Sequence, residues 1–460
     1  MKNLTLSNIA KACNGTYYGD ENIKVREAAG VVIDSRNVEK DYVFIATKGE
    51  RVDGHSFIGQ VFEKGALCVV CENELEQPAG PYILVEDSFQ ALKDIAEFYR
   101  EQLDVKVVGV TGSVGKTSTK EFISSVLATK YNVLKTAGNF NNEVGLPLTV
   151  LKITDEHEVA VLEMGINHFG EMHRLSKIAK PDICVITNIG QCHLEYLKSR
   201  EGILSAKTEI FDFMSEDGYV CINGDDDMLQ TVLEVKGKAP ITFGMDNRCD
   251  VYADCIESRG LFGSTCMIHT KQEEFEAEIP LPGIHMVMNA LTATAIGGLL
   301  GLTAEEMKKG LSNVETVSGR SNIIKGDKYV IIDDCYNANP VSMKAAIDML
   351  MSAEGRKVCI LGDMGELGED ENALHEEVGA YAARAGVDCM IFVGNQAVFM
   401  DQGAEKSMAG IPDKTEKQIH HFSDKADCLS VLGDLLLPGD TVLVKASHYM
   451  GFDEIIESLK

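Results

Sequence analysis

The stretch VKVVGVTGSVGKTS, residues 105–118, decides the fold. Its apolar beginning predicts a buried strand, and the glycines that follow predict a tight turn that opens into a helix. In such a turn the backbone N–H groups point at phosphate oxygens, and the positive end of the helix dipole favours the same anion. We therefore assign nucleotide binding to Thr111, Gly112, Ser113, Val114, Gly115, Lys116, Thr117 and Ser118.

Two side chains of this turn have specific expected roles. Lys116 is expected to reach the β- and γ-phosphates of a nucleoside triphosphate, and Thr117 is expected to bind Mg²⁺. The eight-residue P-loop pattern is incomplete, because Val110 stands where the pattern has glycine. The alternative is a glycine turn with a surface lysine. The strand before the turn and the helix after it favour the phosphate site.

Apolar runs on both sides of this turn predict a central α/β domain. Those that follow the turn are apolar on both faces, which is typical of parallel strands covered by helices, and they lie at 159–165, 183–189 and 219–223. Between 241 and 279 the pattern changes to alternation, which predicts an antiparallel patch. A helical pattern at 285–300 ends this domain.

A chain of 460 residues exceeds what one hydrophobic core usually serves, so further domains are expected on each side. Residues 1–104 predict a smaller N-terminal α/β domain that closes with a helix at 88–103. Residues 317–460 predict a C-terminal Rossmann-like domain with strands at 329–334, 357–362, 388–394 and 441–446. The predicted fold is therefore α/β with three domains, 1–104, 105–316 and 317–460, of which the central one has a P-loop-type, mostly parallel sheet.

The composition excludes some classes of partner. A net charge of −28 argues against nucleic acid and anionic membranes, so a phosphate-bearing substrate must meet locally placed cations and N–H groups. No stretch approaches the roughly 20 apolar residues of a membrane span, and residues 1–10 lack the pattern of a secretory signal, so we expect a cytoplasmic protein. Cys68 and Cys71 form a close pair in an apolar run; buried reduced thiols are favoured over a zinc or redox site.

Two side chains further along, Glu163 and His193, predict a metal site near the triphosphate. Glu163 ends a predicted parallel strand and His193 follows the next one, and open α/β sheets bind ligands at this edge. The alternative for each is a structural or merely solvated side chain. Lys207 lies on the helix that follows, and nothing in its local sequence distinguishes it from a solvated helical cation.

Three features lie downstream of the central strands. Asn289 is on the helix that ends the central domain, and Arg320 follows a glycine at the next domain junction. An arginine at a junction can close over a γ-phosphate when the last domain moves in. The segment DDCYNANP, residues 333–340, joins a strand end to a helix that Pro340 opens. The neutral alternative is a linker arginine and a capped helix.

Together these motifs resemble the Mur ligase family over essentially the whole chain. The resemblance is carried by TGSVGKTS, GNFNNEVGLP (138–147), LEMG, NIGQCHLE, LPGIHMVMNAL, SGR, DDCYNANP and GDMGELGE. It implies a UDP-substrate domain, an ATP-binding domain and a C-terminal domain that brings the incoming amine. It also implies adenine contact by Asn289, triphosphate contact by Arg320 and ribose contact by Asp334.

The resemblance further implies a catalytic set of Lys116, Glu163, His193, Lys207 and Arg320. Lys207 is implied to be carbamylated by CO₂, and Thr117, Glu163, His193 and the modified lysine are implied to hold two Mg²⁺ ions. The expected cofactors are thus ATP, two Mg²⁺ ions and the carbamylated lysine.

Within the family, GNFNNEVGLP and DDCYNANP are most like the member that joins D-alanyl-D-alanine to UDP-N-acetylmuramoyl-tripeptide, and these two compounds are the expected partners of a monomer. IDSRNV (33–38) and FIATKGERVDGHSFI (44–58) resemble a uridine-nucleotide-binding segment. The candidate substrate-binding residues are Ser35, Arg36, Asp53, Gly54, His55, Asn139, Asn141, Asn142, Asn337 and Asn339.

The chain also departs from the family pattern. Cys192 replaces an alanine, residues 197–199 replace Phe-Gly-Ser, and His448 stands where the family has an arginine. The last change puts a carried-over role for an arginine at that position in doubt. The remaining alternatives are a diamino-acid-adding Mur ligase, folylpolyglutamate synthase, and a P-loop NTPase switch that forms no amide bond.

Overall fold

A computed structural model of the chain describes residues 1–49, 52–315, 317–409 and 418–460. Its contacts group into two compact units, one of residues 1–111, 131–185 and 208–219, and the other of residues 112–130, 186–207 and 220–460. The strands form three sheets, one in each predicted domain. The predicted α/β class is confirmed. The exact domain boundaries stay predictions, and the one at Thr316 lies outside the described residues.

The N-terminal sheet has five strands in the order β1-β5-β4-β3-β2, and only β1 is antiparallel to its neighbour among these described strands. The strands are β1 (Thr16–Tyr18), β2 (Gly30–Val32), β3 (Tyr42–Ile45), β4 (Cys68–Cys71) and β5 (Tyr82–Leu84), and the helices are α1 (Leu6–Ala12), α2 (Glu21–Lys24), α3 (Ile58–Glu63) and α4 (Ser88–Arg100).

The close cysteine pair lies at the two ends of β4. Both side chains are fully buried, and neither forms a disulfide. Burial raises the pKa of both thiols, that of Cys71 to about 11. A thiol that holds its proton so firmly is a poor metal ligand and a poor nucleophile, so the interpretation as buried reduced thiols is favoured.

The central domain contributes strands to both compact units. The strands are β6 (Lys106–Thr111), β7 (Val133–Lys135), β8 (Val159–Glu163), β9 (Ile183–Ile186), β10 (Tyr219–Asn223), β11 (Ile241–Gly244), β12 (Val251–Ser258), β13 (Ser264–His269) and β14 (Glu274–Ile279). The first unit holds the order β9-β6-β8-β7, and the second holds β14-β13-β12-β11-β10. The helices are α5 (Lys116–Leu127), α6 (Gly145–Val150), α7 (Glu171–Ala179), α8 (Leu194–Leu197), α9 (Arg200–Thr208), α10 (Ile284–Leu299) and α11 (Ala304–Ser312).

The antiparallel patch predicted for residues 241–279 is shorter than expected. β12, β13 and β14 are antiparallel, but β11 pairs in parallel with both β10 and β12. The buried side chains of β13 and β14 alternate, as an antiparallel sheet with one buried face requires. β11 has only four residues and follows a long connection from β10, which allows the parallel arrangement.

The C-terminal domain is a six-stranded sheet in the order β15-β16-β20-β17-β18-β19, parallel except for β15. Its strands are β15 (Asn322–Lys325), β16 (Val330–Asp333), β17 (Lys357–Gly362), β18 (Cys389–Val393), β19 (Gln418–Phe422) and β20 (Thr441–Lys445), and its helices are α12 (Pro340–Met351), α13 (Glu371–Ala385), α14 (Ala397–Met408), α15 (Lys425–Leu435) and α16 (Asp453–Leu459).

Helices cover both faces of this C-terminal sheet. In β17, Cys359 and Leu361 belong to a core with α12, α13 and α14, whereas Val358 and Ile360 belong to a core with α15 and α16. All four side chains are fully buried. Because successive side chains of a strand point to opposite faces, an uninterrupted apolar run fills both cores, and the Rossmann-like prediction is supported. In the described part of the chain, no helix is long and apolar enough to cross a bilayer.

Two glycines let α13 and α14 approach closely. A Cβ atom on Gly379 would lie 1.8 Å from the Met400 carbonyl oxygen, and one on Gly403 would lie 2.0 Å from the Glu376 carbonyl oxygen. Backbone oxygens cannot move aside as a flexible side chain can. The helix pair therefore depends on the absence of side chains at these two positions.

We predict that Gly379→Ala lowers the free energy of unfolding by about 1–3 kcal/mol, because overpacking outweighs the helix propensity that alanine adds. Gly433→Ala is the matched control, since a Cβ atom added to this glycine in α15 would meet nothing within 4 Å in the described chain beyond its own neighbours and the backbone of its own helix. The control should be neutral or slightly stabilising. Chemical denaturation measures both, and equal stability of the two variants would contradict the prediction.

Candidate active site

The glycine-rich turn joins the end of β6 to the start of α5. Gly112 has φ 153° and Gly115 has φ 80°, a region that disfavours side chains. A Cβ atom on Gly112 would lie 1.9 Å from Thr187 Oγ1. Gly115 is the N-cap of α5 and offers no side chain to the first N–H groups of the helix. The turn thus has the conformation that an anion-binding helix start requires.

A set of hydrogen bonds fixes this turn to the segment that follows β9. The Val114 N–H donates to Asn188 Oδ1 at 2.9 Å, and the Val114 carbonyl accepts from Thr187 Oγ1 at 2.7 Å and from Asn188 Nδ2 at 3.0 Å. The Ser113 N–H donates to the Asn188 carbonyl at 3.0 Å, and Ser113 Oγ accepts from the Gly190 N–H at 2.9 Å. The glycine turn and the segment after β9 therefore hold each other in a fixed conformation.

The first turns of α5 carry the two residues assigned to phosphate and metal. Lys116 is the first residue of this helix, and its Nζ donates to the Gly112 carbonyl at 2.9 Å. Thr117 is buried, and Ser118 is half-buried. Lys116 thus lies folded over the glycine turn, where its ammonium group can meet a phosphate.

Asn289 of α10 lies beside the same helix. Its Oδ1 accepts from Thr119 Oγ1 at 2.8 Å, and its Nδ2 contacts Met286 Sδ at 3.5 Å. The side chain is 7% exposed. These contacts hold Asn289 near the start of α5, and its contact with adenine stays a prediction.

Lys207 is the least expected feature of the site. Its side chain is fully buried in α9, and its Nζ has no hydrogen-bond partner among the described residues. Burial lowers the pKa of Lys207 to about 8; Cys192 raises the pKa and Lys116 lowers it by smaller amounts. The alternative of a solvated helical cation does not apply to Lys207, because the amine lies inside the protein.

His193 is the residue before α8, with φ 51°. Its Nδ1 is 2.5 Å from Glu366 Oε2 in the loop that follows β17. The structure thus gives His193 a carboxylate partner that the sequence did not indicate. Cys192, next to it in the chain, lies within electrostatic reach of Lys207, so the segment with His193 and the buried amine are neighbours.

Glu163 lies in the first compact unit, at the end of β8. It is 1% exposed, and its Oε1 accepts from Asn141 Nδ2 at 2.7 Å. Its backbone N–H donates to Thr136 Oγ1 at 2.9 Å. The carboxylate is thus held in a fixed position by a second residue of the candidate set. Thr111, the last residue of β6 in the same unit, has a buried Oγ1 without a partner among the described residues.

The residues assigned to triphosphate and ribose lie together in the C-terminal domain. The Arg320 guanidinium is 4.1 Å from the centre of the Tyr336 ring, and the His448 ring lies 5.4 Å from the same ring. Asp334 accepts from Lys445 Nζ at 2.6 Å and from the Ser321 N–H at 2.9 Å. Both oxygens of Asp334 thus have protein partners, and its contact with a ribose stays a prediction.

Four of the five candidate asparagines have side chains that are exposed or bound to nearby backbone. Asn142 Oδ1 accepts from the Gly145 N–H at 2.9 Å, at the start of α6. Asn339 is the N-cap of α12, and its Oδ1 accepts from the Ser342 N–H. Asn337 Oδ1 accepts from the following N–H at 2.8 Å, and Asn139 is exposed. These contacts shape two helix starts, and the substrate roles of the asparagines stay predictions.

The uridine-binding candidates form two short 3₁₀ turns of the N-terminal domain. Ser35 and Arg36 lie in the first; the Ser35 carbonyl accepts from Lys64 Nζ at 2.7 Å, and the Arg36 side chain is 86% exposed beside Asp34. The Arg36 hydrogen bond holds the pKa of Asp34 below its usual range. An exposed guanidinium with one carboxylate partner has donors left for an anion.

The second turn is built on Asp53, Gly54 and His55. Asp53 Oδ1 accepts from the His55 N–H and contacts His55 Nδ1 at 2.7 Å, while His55 Nε2 accepts from the Glu72 N–H at 3.0 Å. A Cβ atom on Gly54 would lie 2.8 Å from the Thr47 carbonyl oxygen. These hydrogen bonds and the close packing at Gly54 therefore fix the conformation of the second turn. Residues 50 and 51 of the same quoted segment lie outside the described residues.

The structure adds supporting residues that the sequence did not single out. They are Thr187 and Asn188 at the glycine turn, Thr119 at Asn289, Glu366 at His193, and Lys445 at Asp334. Asn188 and Glu366 lie inside motifs quoted above, NIGQCHLE and GDMGELGE. The motif pattern could therefore have pointed to them, but only the folded chain shows which residue each one contacts.

We predict that Gly112→Ala raises the Kd for ADP by at least about tenfold, equivalent to roughly 1.4 kcal/mol. The added methyl group forces Thr187 Oγ1 away from the Val114 carbonyl and distorts the turn. Titration calorimetry with ADP measures the effect.

The matched control for this variant is Gly298→Ala in α10, where the added Cβ atom would meet nothing within 4 Å in the described chain beyond its own neighbours and the backbone of its own helix. The double variant Gly112→Ala/Thr187→Ala removes the side chain that clashes and should recover part of the affinity. An unchanged Kd for Gly112→Ala, with the chain folded, would show that the conformation of this turn does not matter for nucleotide binding.

Family models match three stretches of the chain. They are the Mur ligase family catalytic domain at residues 27–100, the Mur ligase middle domain at residues 110–297, and the Mur ligase glutamate ligase domain at residues 319–448.

Named relatives match over the full length. The UDP-N-acetylmuramoyl-tripeptide--D-alanyl-D-alanine ligase of Bacillus subtilis is 40% identical over 460 residues, covering 99% of this chain and 98% of the relative. The Escherichia coli protein of the same name is 33% identical over 465 residues, covering 100% and 99%.

Solved structures agree with these matches. A crystal structure of MurF from Acinetobacter baumannii has a TM-score of 0.88 at 32% identity, covering 99% of this chain and 98% of that chain. The MurF ligase of Thermotoga maritima in complex with ADP has a TM-score of 0.81 at 30% identity, covering 93% and 96%. The glycine turn, the buried lysine and these full-length matches lead to one conclusion: the chain belongs to the Mur ligase family.

Proposed function

We propose that this protein is an ATP-dependent ligase that joins D-alanyl-D-alanine to UDP-N-acetylmuramoyl-tripeptide in peptidoglycan synthesis. The observation that carries the proposal is the full-length match to relatives of that name at 40% and 33% identity. The MurF relative in complex with ADP supports ATP as the nucleotide. The conformation of the glycine turn and the position of Lys116 support a triphosphate at the start of α5.

The proposed reaction has two steps. The terminal carboxylate of the UDP-linked tripeptide attacks the γ-phosphorus of ATP, which gives an acyl phosphate and releases ADP. The amine of D-alanyl-D-alanine then attacks the acyl carbon, a proton is lost from the nitrogen, and inorganic phosphate leaves. The first step brings two anions together, so neutralisation of charge is its main requirement.

Local cations meet this requirement in a protein with a net charge of −28. Lys116 lies over the glycine turn, and Arg320 is held on the face of Tyr336. Stacking on an aromatic ring orients a guanidinium without using its N–H donors, which leaves them for phosphate oxygens. Bound Mg²⁺ would add positive charge at the transferred phosphoryl group. We assign the metal to Thr117, Glu163, His193 and the modified Lys207.

The modification of Lys207 is a carbamate. The neutral amine attacks CO₂ to form an N–C bond, and one proton is released, so the side chain changes from a cation to a carboxylate-like anion. The fully buried amine, which has no hydrogen-bond partner among the described residues, supports this proposal, because an unmodified buried ammonium group would be left unpaired. Hard Mg²⁺ prefers the oxygen ligands that the carbamate supplies.

The other candidate functions are less well supported. A diamino-acid-adding Mur ligase would share the fold, but the relatives matched at 40% and 33% carry the name of the D-alanyl-D-alanine-adding enzyme. Folylpolyglutamate synthase has no need of a uridine site, for which the segments 33–38 and 44–58 are candidates. A nucleotide-dependent switch would not require a fully buried lysine whose amine has no hydrogen-bond partner within the described chain.

We place the reaction in the cytoplasm and expect a monomer. The thirteen cysteines of the chain all lie in described residues and none forms a disulfide, which suits a reducing compartment. The acyl substrate of the proposed reaction is a UDP-linked precursor, and ATP is available in the same compartment.

The acceptor choice is tested by phosphate release across a panel of substrates. With UDP-N-acetylmuramoyl-tripeptide and ATP, D-alanyl-D-alanine should give a kcat/KM at least about a hundredfold above that of lysine or diaminopimelate, because a site built for a dipeptide carboxylate leaves polar groups unpaired with the wrong acceptor. Release that needs no acceptor would favour the switch. Preference for a UDP-dipeptide with a diamino acid would favour the neighbouring ligase.

Loss of Lys207 tests the carbamate. Lys207→Ala should lower the ligation rate by at least about a hundredfold, the usual effect of removing one preorganised group. Lys207→Arg keeps the positive charge and should be as inactive. Short carboxylic acids added to Lys207→Ala should restore part of the rate by supplying the missing oxygen ligands.

The matched control is Lys309→Ala, which removes an exposed lysine from α11 in the same compact unit. It should ligate at the normal rate. A fully active Lys207→Arg variant, or an intact-mass measurement that finds no CO₂ adduct on Lys207 in bicarbonate-saturated buffer at high pH, would contradict the proposal.

A further inference from the structure

The contact between His193 and Glu366 joins two loops that are far apart in sequence. His193 Nδ1 lies 2.5 Å from Glu366 Oε2, across a sequence separation of 173 residues. His193 belongs to the loop after β9 in the central domain, and Glu366 belongs to the loop after β17 in the C-terminal domain. The His193 side chain is 19% exposed, whereas that of Glu366 is 46% exposed. The histidine is therefore the more buried of the two partners, and the glutamate side chain is the more exposed to solvent.

The backbone on both sides of the contact has an uncommon conformation. His193 has φ 51° and Glu366 has φ 61°, a region that costs a non-glycine residue roughly 1–2 kcal/mol. Nearby, the helix α8 packs on the 3₁₀ turn Gly368–Asp370, and a Cβ atom on Gly368 would lie 3.7 Å from the Glu195 backbone. Each of the two loops thus holds one residue with a strained backbone. The side chains of these two residues form the hydrogen bond between the loops.

The chemistry of the contact resembles the support given to a metal-binding histidine. When one ring nitrogen of an imidazole bonds to a carboxylate, it carries the proton, and the other nitrogen keeps its lone pair for a metal. His193 Nε2 makes no hydrogen bond within the described part of the chain, so this nitrogen can serve as the ligand. Glu366 itself is not among the residues assigned to metal, nucleotide or substrate above.

We propose that Glu366 is a positioning residue that holds His193 in the orientation and tautomer needed for Mg²⁺. The inference rests on the proposed role of His193 as a metal ligand. Its consequence is that the affinity of the central-domain metal site depends on a carboxylate supplied by the C-terminal domain. The loop after β17 therefore contributes to metal binding although it holds no ligand of its own.

The experiment measures Mn²⁺ binding to the full chain in the presence of ADP, by electron paramagnetic resonance of free Mn²⁺. Glu366→Ala should raise the Kd for Mn²⁺ by about 10–100-fold, the usual effect of losing such a partner. Glu366→Gln should fall between Glu366→Ala and the natural protein, because its amide oxygen still accepts from the Nδ1 proton but carries no charge. Glu369→Ala is the matched control in the same loop and should bind Mn²⁺ normally, since this side chain is exposed to solvent.

Two further variants separate this inference from the role of His193. His193→Ala should weaken Mn²⁺ binding, and adding Glu366→Ala to it should weaken binding no further. If Glu366→Ala binds Mn²⁺ as well as the control does, or if its effect adds fully to that of His193→Ala, Glu366 does not act through His193 and the inference is wrong. If His193→Ala itself leaves Mn²⁺ binding unchanged, the proposed metal role of His193 is wrong as well.

A spectroscopic measurement tests the tautomer directly. In ¹⁵N-labelled natural protein, the His193 signals, identified by their loss in His193→Ala, should show a protonated Nδ1 and an unprotonated Nε2. In Glu366→Ala the two nitrogens should approach the averaged shifts of an exchanging imidazole. Signals that are the same in both proteins would overturn the inference. Unfolding curves of all variants show whether the chains are folded under the conditions of measurement.

Discussion

The hydrogen bonds on Val114 are the constraint on which the rest of the site depends. Its N–H and carbonyl are bound by Thr187 and Asn188, so the glycine turn cannot take its shape unless the segment after β9 takes its own. That segment continues to His193 and then to α9 with Lys207. A single local network thus joins the glycine turn to the segment that leads to a candidate metal ligand and the buried amine.

The same network explains why Gly112 carries no side chain. Thr187 Oγ1 must lie close to the turn to reach the Val114 carbonyl, and the space it occupies is the space a Cβ atom would need. A glycine-rich turn is often attributed only to the approach of a phosphate. Here a protein hydroxyl imposes the same requirement before any ligand binds.

Most of the fold could be predicted from the sequence, because strands buried on both faces leave uninterrupted apolar runs. The runs at 219–223 and 357–362 agree with β10 and β17 residue for residue. The parallel direction of β11 could not be predicted, because its four residues show no clear alternation of buried and exposed side chains. Short strands such as β1 and β7, and the edge strand β19 with its histidines, also lack a strong apolar pattern and were not anticipated.

The site could be predicted in part, for a different physical reason. The glycine turn is a local feature, so its eight residues give the pattern without any knowledge of the fold. The burial of Lys207 and the contact of His193 with Glu366 arise from tertiary packing, and the local sequence of α9 does not distinguish Lys207 from a solvated lysine. Two side chains that are 173 residues apart in sequence produce no periodicity from which their contact could be predicted.

The candidate asparagines make structural contacts with only part of the side-chain amide. Asn142 and Asn339 use Oδ1 to accept from N–H groups at helix starts, which is a common role of asparagine. Each amide also has two N–H donors on Nδ2, and the cap does not use them. A helix cap fixes the side chain, so the remaining donors point in a defined direction. Capping therefore supports a role in binding a carboxylate or phosphate instead of excluding it.

The burial of Lys207 carries an electrostatic cost. Removing an ammonium group from water without a partner costs several kcal/mol, and folding has to compensate for that cost elsewhere. A pKa of about 8 leaves about a tenth of the amine neutral at pH 7, which is the form that reacts with CO₂. The burial that destabilises the cation thus also prepares the amine for modification. In the proposed carbamate the side chain would be an anion that bound Mg²⁺ could neutralise, so a position that is costly in the unmodified chain would gain a partner.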